Sequence, residues 1–260
     1  MDFPRALRER RTRRHLSQLD LALRAGTTQR HVSFIESGRS VPGRNMVVRL
    51  AESLELPLRE RNDLLLAAGY APAYPEHALE DPVLAPVRTA IGHILHGHLP
   101  YPALVVDRGG DLIAANSAFD LITEGAAAEL VGPGTNVYRL ALHPDGLAPR
   151  IRNLAEWARH VLARLGDLEE LRTELAGYVP QLEPSAGLLG FAVPLRLLTS
   201  YGELRLMTTV TTFATAVDVT LAELKLEAFL PADPATAAAL TAAAGARGAC
   251  AAADRAPESL

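Results

Sequence analysis

At 260 residues the chain is long enough for two domains with cores of their own, and 48% hydrophobic against 22% charged residues excludes wholesale disorder. A single cysteine, Cys250, excludes internal disulfides and cysteine-based metal clusters; no apolar run is long enough for a bilayer and no signal peptide is evident, so a reducing cytoplasm is the expected setting. The net charge of −4 hides an asymmetry, since residues 1–70 hold 13 arginines against 8 acidic side chains and the rest 13 basic against 22 acidic, which suits only the front of the molecule to a polyanion.

The first predicted helix carries or adjoins Arg5, Arg8, Arg10, Arg11, Arg13 and Arg14. Cations there attract phosphate and supply salt-dependent, non-specific affinity, although a solvated charged face accounts for part of the cluster. Lys225 is the only lysine, so arginine at any one position carries little weight as chemistry. From Ser17 to Gly38 the residue types predict two short helices joined through Gly26. Ser17 and Asp20 have the spacing of a capping box, and Gly26 suits the left-handed conformation of a sharp turn. Thr28 caps the second helix, whose Val32 and Ile35 turn inward and leave Gln29, Arg30, Ser33 and Phe34 outward. Glutamine pairs bidentately with adenine, arginine with guanine, and an aromatic ring can meet the thymine methyl. The plain alternative is a helical hairpin in a bundle. Helices are predicted at 44–54 and 58–68, closed by Gly69-Tyr70-Ala71-Pro72, and a proline-containing linker at 71–81.

This region resembles the Cro/cI-type (Xre-like) helix-turn-helix domain through Leu16-Ser17-Gln18, Ala25-Gly26-Thr27-Thr28-Gln29, Ile35-Glu36-Ser37-Gly38-Arg39, Pro42 and Leu50-Ala51-Glu52-Ser53-Leu54. The resemblance implies a mainly α, five-helix DNA-binding domain over 1–70 that reads double-stranded operator DNA. The helix from Gln29 would enter the major groove while Gln18, Arg39, Arg44 and Asn45 hold phosphates, so the implied DNA-binding set is Gln18, Thr28, Gln29, Arg30, Ser33, Phe34, Arg39, Arg44 and Asn45.

The pattern then changes. A helix is predicted at 83–95, a buried strand at 103–107, a turn at 108–110 and a hairpin partner at 112–115. Helices at 117–121, 153–165 and 168–178 precede strands at 192–198, 203–212 and 219–229. Two opening and three closing strands make a five-stranded antiparallel sheet with helices on one face, an α+β, PAS-like arrangement over 82–232. Residues 233–260 read as a short helix at 236–243 and a disordered tail from 245.

A second resemblance spans about 80–245. Tyr101-Pro-Ala-Leu-Val-Val-Asp-Arg108, Ala114-Ala-Asn116, Asn136-Val-Tyr-Arg-Leu140, His143-Pro-Asp-Gly146, Ala155-Glu-Trp-Ala158 and Asp218-Val-Thr-Leu-Ala-Glu-Leu224 resemble the ligand-binding domain of MmyB-like transcriptional regulators. It implies a PAS-like pocket for a hydrophobic small molecule, a fatty acid or similar compound, and a homodimer. The candidate pocket residues are Leu104, Val106, Phe119, Val137, Leu140, Trp157, Val161, Phe191, Leu206 and Thr208, which a solid core would explain as well.

Single residues read more plainly. Asn116 is expected to cap a helix, Trp157 to pack in the core, and His143-Pro144-Asp145-Gly146 to form a turn. His93 and His96 have a spacing that could share a cation, but a helix end ordinarily carries such residues, so no metal is expected. No phosphate loop, nucleophile elbow or His-Glu-x-x-His motif supports catalysis or a cofactor. The competing reading is an antitoxin-like or scaffold protein whose second domain binds a protein partner.

Overall fold

The computed structural model describes residues 2–132, 134–166, 168–179, 193–213 and 215–253, with side chains through 246. Their contacts divide them into two units, one of residues up to 83 with 213–222, the other of 84–212 with residues from 223 onward.

Five helices build the first unit: α1 (Phe3–Arg13), α2 (Gln18–Arg24), α3 (Gln29–Glu36), α4 (Arg44–Ser53) and α5 (Leu58–Ala67). Their apolar positions meet in one core where Leu7, Leu21, Val32, Ile35, Val47, Leu50 and Leu64 are fully buried. Each such side chain contributes about 1.5–3 kcal/mol. The breaks are local. The Ser17 hydroxyl accepts from Asp20 N at 3.1 Å while Asp20 Oδ2 accepts from Ser17 N at 2.9 Å, so the expected capping box is present. Gly26, at φ +61, turns the chain between α2 and α3 where a side chain would be strained.

Beyond α5 the expected linker is partly strapped down. Buried Asn62 donates to the Tyr74 carbonyl at 2.8 Å and accepts from Ala73 N at 2.9 Å and Tyr74 N at 3.1 Å. Residues 213–222 belong to the same unit. Val219 N donates to the Pro75 carbonyl at 2.9 Å, and Asp218 accepts from His77 N at 3.2 Å and pairs with its ring Nδ1 at 2.8 Å. Burial pushes the Asp218 pKa up, but these hydrogen bonds outweigh it and hold the carboxyl below its ordinary value.

The second unit contains α6 (Ala85–Gly97), β1 (Ala103–Val106), β2 (Leu112–Ala115), α7 (Phe119–Thr123), α8 (Val137–Leu142), α9 (Leu154–Arg164) and α10 (Glu169–Tyr178). After them come β3 (Leu195–Thr199), β4 (Gly202–Thr212), the short α11 (Val219–Glu223), whose residues fall mostly in the 213–222 segment, β5 (Lys225–Pro231) and α12 (Pro234–Ala253). The strands form one antiparallel sheet in the order β2-β1-β5-β4-β3, which puts the last strand in the centre. Leu104 and Val106 of β1 face the main core, while Ala103 and Val105 are equally buried on the other side. Helices therefore do not cover one face only, since α6 also packs against β1.

Other expectations need correction. The last strand begins at Lys225 and not at 219, because Asp218 accepts from Leu221 N at 3.3 Å and starts a helical turn instead. The start of the strand expected at 192–198 lies partly outside the described residues. The terminal helix does not stop near 243 but continues through Ala253: alanine is the best helix former, and the low complexity that suggested a tail has that property. Asn116 does not cap the helix that follows it. Its carbonyl oxygen accepts from Ala103 N at 3.1 Å and its amide donates to the carbonyls of Leu95 and Tyr101 at 3.1 and 2.9 Å, tying the end of α6 to the first hairpin.

Helices α8 and α10 are clamped at Glu174, which accepts from Arg139 Nε at 2.7 Å, Arg139 Nη2 at 2.8 Å and the Tyr178 hydroxyl at 2.8 Å. The Arg139 bonds above all hold Glu174 at about 2. A depressed carboxyl pKa stabilises the fold above the unfolded value, roughly 4.3, and the contribution disappears as pH falls through the folded value. Denaturant titrations should therefore show Glu174→Gln less stable than wild type at pH 7, by a modest margin because the pair is partly exposed, and the gap should close between about pH 4.5 and 2. A gap independent of pH would mean that the glutamate acts only through packing.

Candidate functional site

The first candidate surface is α3. Thr28 accepts from His31 N at 3.2 Å as N-cap, and Thr27 Oγ1 pairs with His31 Nδ1 at 2.9 Å, so the helix starts at Gln29. Val32 and Ile35 enter the core, leaving Gln29 and Arg30 exposed and Ser33 and Phe34 half-buried. The Phe34 ring lies 5.2 Å from the Arg30 guanidinium and 5.9 Å from that of Arg39. Cation–π attraction pre-aligns two planar forks beside the helix and lowers the entropy lost when they meet an anion or a base. Arg44 and Asn45 are exposed on the first turn of α4, behind the Gly43 cap.

Gln18, expected to hold phosphate, is also engaged within the unit. Its amide donates to Glu36 Oε2 at 2.9 Å, the carboxylate that Arg11 grips through Nε at 2.6 Å and Nη2 at 2.9 Å. Arg11 also donates to the Leu16 carbonyl at 2.7 Å. These four residues brace α3 against α1 and α2. The sequence shows each one but not that they converge, because Arg11 and Glu36 are far apart in the chain.

The second site is a cavity of about 40 Å³ in the other unit. Of the expected residues, Leu104, Phe119, Val137, Leu140, Trp157 and Val161 line it. Val106 and Leu206 do not, for both are packed solid in the core. Thr208 is not in the wall either, although it stands directly opposite Phe229, which is. Phe191 lies outside the described residues. Sequence reasoning missed Ile122, Tyr138, Leu195 and Phe229, and above all Arg164 and Glu227. For Glu227 the signal was a charge inside the apolar run Leu226-Glu227-Ala228-Phe229.

Glu227 is buried on β5 and paired with Arg164 at the end of α9, Nη2 to Oε1 in close contact and Nη1 to Oε2 at 3.4 Å. Tyr138 is positioned through Gly110, at φ +88, where a Cβ would fall 2.4 Å from the tyrosine ring. Burial, then the charge of Glu227, raises the Tyr138 pKa, which keeps the phenol neutral. His160 packs at a tilt against Trp157 with ring centres 5.2 Å apart, and burial followed by the Arg164 charge lowers its pKa, favouring the neutral ring. The indole Nε1 of Trp157 and the hydroxyl of Thr208 are buried without a hydrogen-bond partner among the described residues. The site is thus an apolar chamber with a neutralised ion pair and one orphaned donor on its wall.

Residues 7–61 match the family model described as helix-turn-helix, and residues 87–182 match that of the MmyB-like transcription regulator ligand binding domain. The chain is accordingly a helix-turn-helix DNA-binding regulator with an MmyB-like ligand-binding domain, and both families are regulator modules rather than enzymes. No curated protein matches the chain. Among the described residues no helix is long and apolar enough to cross a membrane.

Arg30, exposed at the start of α3 and aligned by Phe34, should read a base, whereas Arg44 should hold phosphate. On the best sequence selected from a random DNA pool, Arg30→Ala should cost about 1–3 kcal/mol and relax preference at one base pair. Arg44→Ala should weaken all sequences evenly and flatten the salt dependence. Unchanged base preference in Arg30→Ala would show that α3 is not the reading helix.

Proposed function

We propose that this regulator binds a specific, two-fold operator as a cytoplasmic homodimer, and that its PAS-like C-terminal domain senses a hydrophobic, fatty-acid-like small molecule. The observation that carries the reading is the combination, in one chain, of outward Gln29 and Arg30 on α3 with an apolar-walled cavity behind β5. The strand order β2-β1-β5-β4-β3 supports the PAS-like assignment. Between β4 and β5 the chain leaves the sheet, joins the N-terminal unit through Asp218 and Val219, and returns as the strand that carries Glu227 and Phe229. That path gives a rearrangement at β5 a covalent route to residues strapped beside the DNA-binding helices.

The cavity volume of about 40 Å³ holds about three water molecules, so an acyl chain enters only if wall side chains repack. Small size also favours a second reading, in which the domain is solid and grips a protein partner. The two part company in one experiment. A long-chain acyl compound should raise the melting temperature of the full-length protein and change its operator affinity, because a sensor must bind DNA-competent and DNA-incompetent states unequally. Stabilisation with unchanged operator affinity would remove the sensing mechanism, and no stabilisation by any acyl compound would favour the protein-partner reading.

A homodimer implies half-sites about 34 Å apart or a multiple of that spacing. Sedimentation should show a dimer at micromolar concentration and footprinting a symmetric site; a monomer with an asymmetric footprint would overturn the dimer.

A further inference from the structure

The cavity wall carries more information about the ligand's polar end than about its chain. On α9, Trp157, Val161 and Arg164 fall along one helix face and all three line the cavity. Arg164 is the cation that an anionic head group would seek, but it is already taken. Both ends of its fork point at Glu227, whose side chain is 6% exposed and has no other cation to turn to among the ion pairs of the described residues. A carboxylate entering the cavity would have to draw Arg164 away and leave Glu227 buried as an unpaired anion, or sit beside Glu227 unneutralised. Either arrangement costs more than the new bond returns.

Meanwhile a neutral donor is spare. Trp157 is 4% exposed, and its buried indole N–H, on a wall residue of the cavity, has no acceptor among the described residues. Across the sheet, Thr208 stands opposite Phe229, so its side chain leaves the sheet on the cavity side, and its buried hydroxyl is likewise without a partner. A buried donor left unsatisfied costs free energy that a ligand oxygen recovers on binding.

Resting on the small-molecule reading above, we propose that the ligand's head is an uncharged oxygen function, the ester, lactone, amide or hydroxyl of an acyl compound, that accepts from Trp157 Nε1, and that Glu227 acts as the specificity residue that rejects free carboxylates.

Trp157 is the only tryptophan of the chain, so its fluorescence reports on this site directly. Full-length protein is titrated at pH 7.5 with methyl dodecanoate, 1-dodecanol and dodecanoate, each below its aggregation limit. The ester and the alcohol are expected to bind at least about ten-fold more tightly than the carboxylate. Glu227→Gln, nearly isosteric, leaves Arg164 charged and unpaired and should invert the order in favour of dodecanoate. Trp157→Phe, followed by thermal shift, should weaken the ester and the alcohol by roughly ten-fold. Dodecanoate binding as tightly as the ester to the wild type would overturn the proposal and leave the acyl-sensor reading standing. Should Glu227→Gln fail to fold, the wild-type order alone decides. Binding of none of the three would overturn the acyl reading and this inference together.

Discussion

A carboxylate in the central strand of the sheet sets the terms for the C-terminal domain. Glu227 lies on β5, with two strands on either side, and is 4% exposed. Left alone, an anion there would be strongly destabilising, so a cation has to be brought to it. Arg164 does this from the last residue of α9, where a positive charge also suits the helix dipole. The pair adds little net stability against an apolar replacement. Its consequence is geometric. Once Arg164 is fixed over β5, the helical repeat brings Val161 and Trp157 onto the same side, and the chamber between α9 and the sheet is defined by that register. Tyr138 completes the wall only because Gly110 leaves room for its ring.

The DNA-reading unit uses the same device for a different end. Glu36, at the last turn of α3, is 3% exposed at its side chain and is held by Arg11 and Gln18. The brace fixes the rotation of α3 about its axis, which a narrow apolar edge of Val32 and Ile35 would leave loose. With the rotation fixed, Gln29 and Arg30 point outward together, and Phe34 between Arg30 and Arg39 holds the charged groups in a narrow range of positions. A charge pair inside the unit thus serves the exposed charges.

What the sequence revealed and what it withheld divide along chain separation. The Ser17–Asp20 capping box, the turn at Gly26 and the strand at 103–106 are decided within a few residues, and each was legible. So were the two modules, whose motifs are contiguous. Asn116 was misread because its three partners lie on α6, just before β1 and at the first residue of β1, 13 to 21 residues upstream, while the nearest helix start offered a local explanation. The charge of Glu227 stands out in its apolar run, but its partner does not, because Arg164 is 63 residues away. Among apolar residues, sequence could nominate Val106, Leu206 and Leu104 alike. Only packing decides that Leu104 borders space while the other two border neighbours. The alanine-rich end was cut short for the opposite reason: without a large apolar face to mark it, the expected helix at 236–243 was not extended as its backbone propensity favours.

The size of the cavity bears on how such a domain can signal. A wide, preformed pocket would fill without altering the protein's conformational balance, and a ligand with equal affinity for every state shifts nothing. A chamber of about 40 Å³ is different. On the proposed acyl-sensor reading an acyl chain fits only a repacked state, so its intrinsic affinity is reduced by the rarity of that state and its binding energy is spent in populating it. If the open arrangement held about one molecule in a hundred, apparent affinity would fall about a hundred-fold, and near-complete opening would require a correspondingly tight ligand. Weak resting occupancy is then the counterpart of responsiveness. The wall that has to move includes Phe229 and Glu227 on β5, and the chain reaches β5 directly from residues fastened to Pro75 and His77. On that reading, opening acts on the strand whose chain continues into the DNA-binding unit, where a solid core would have nothing to transmit.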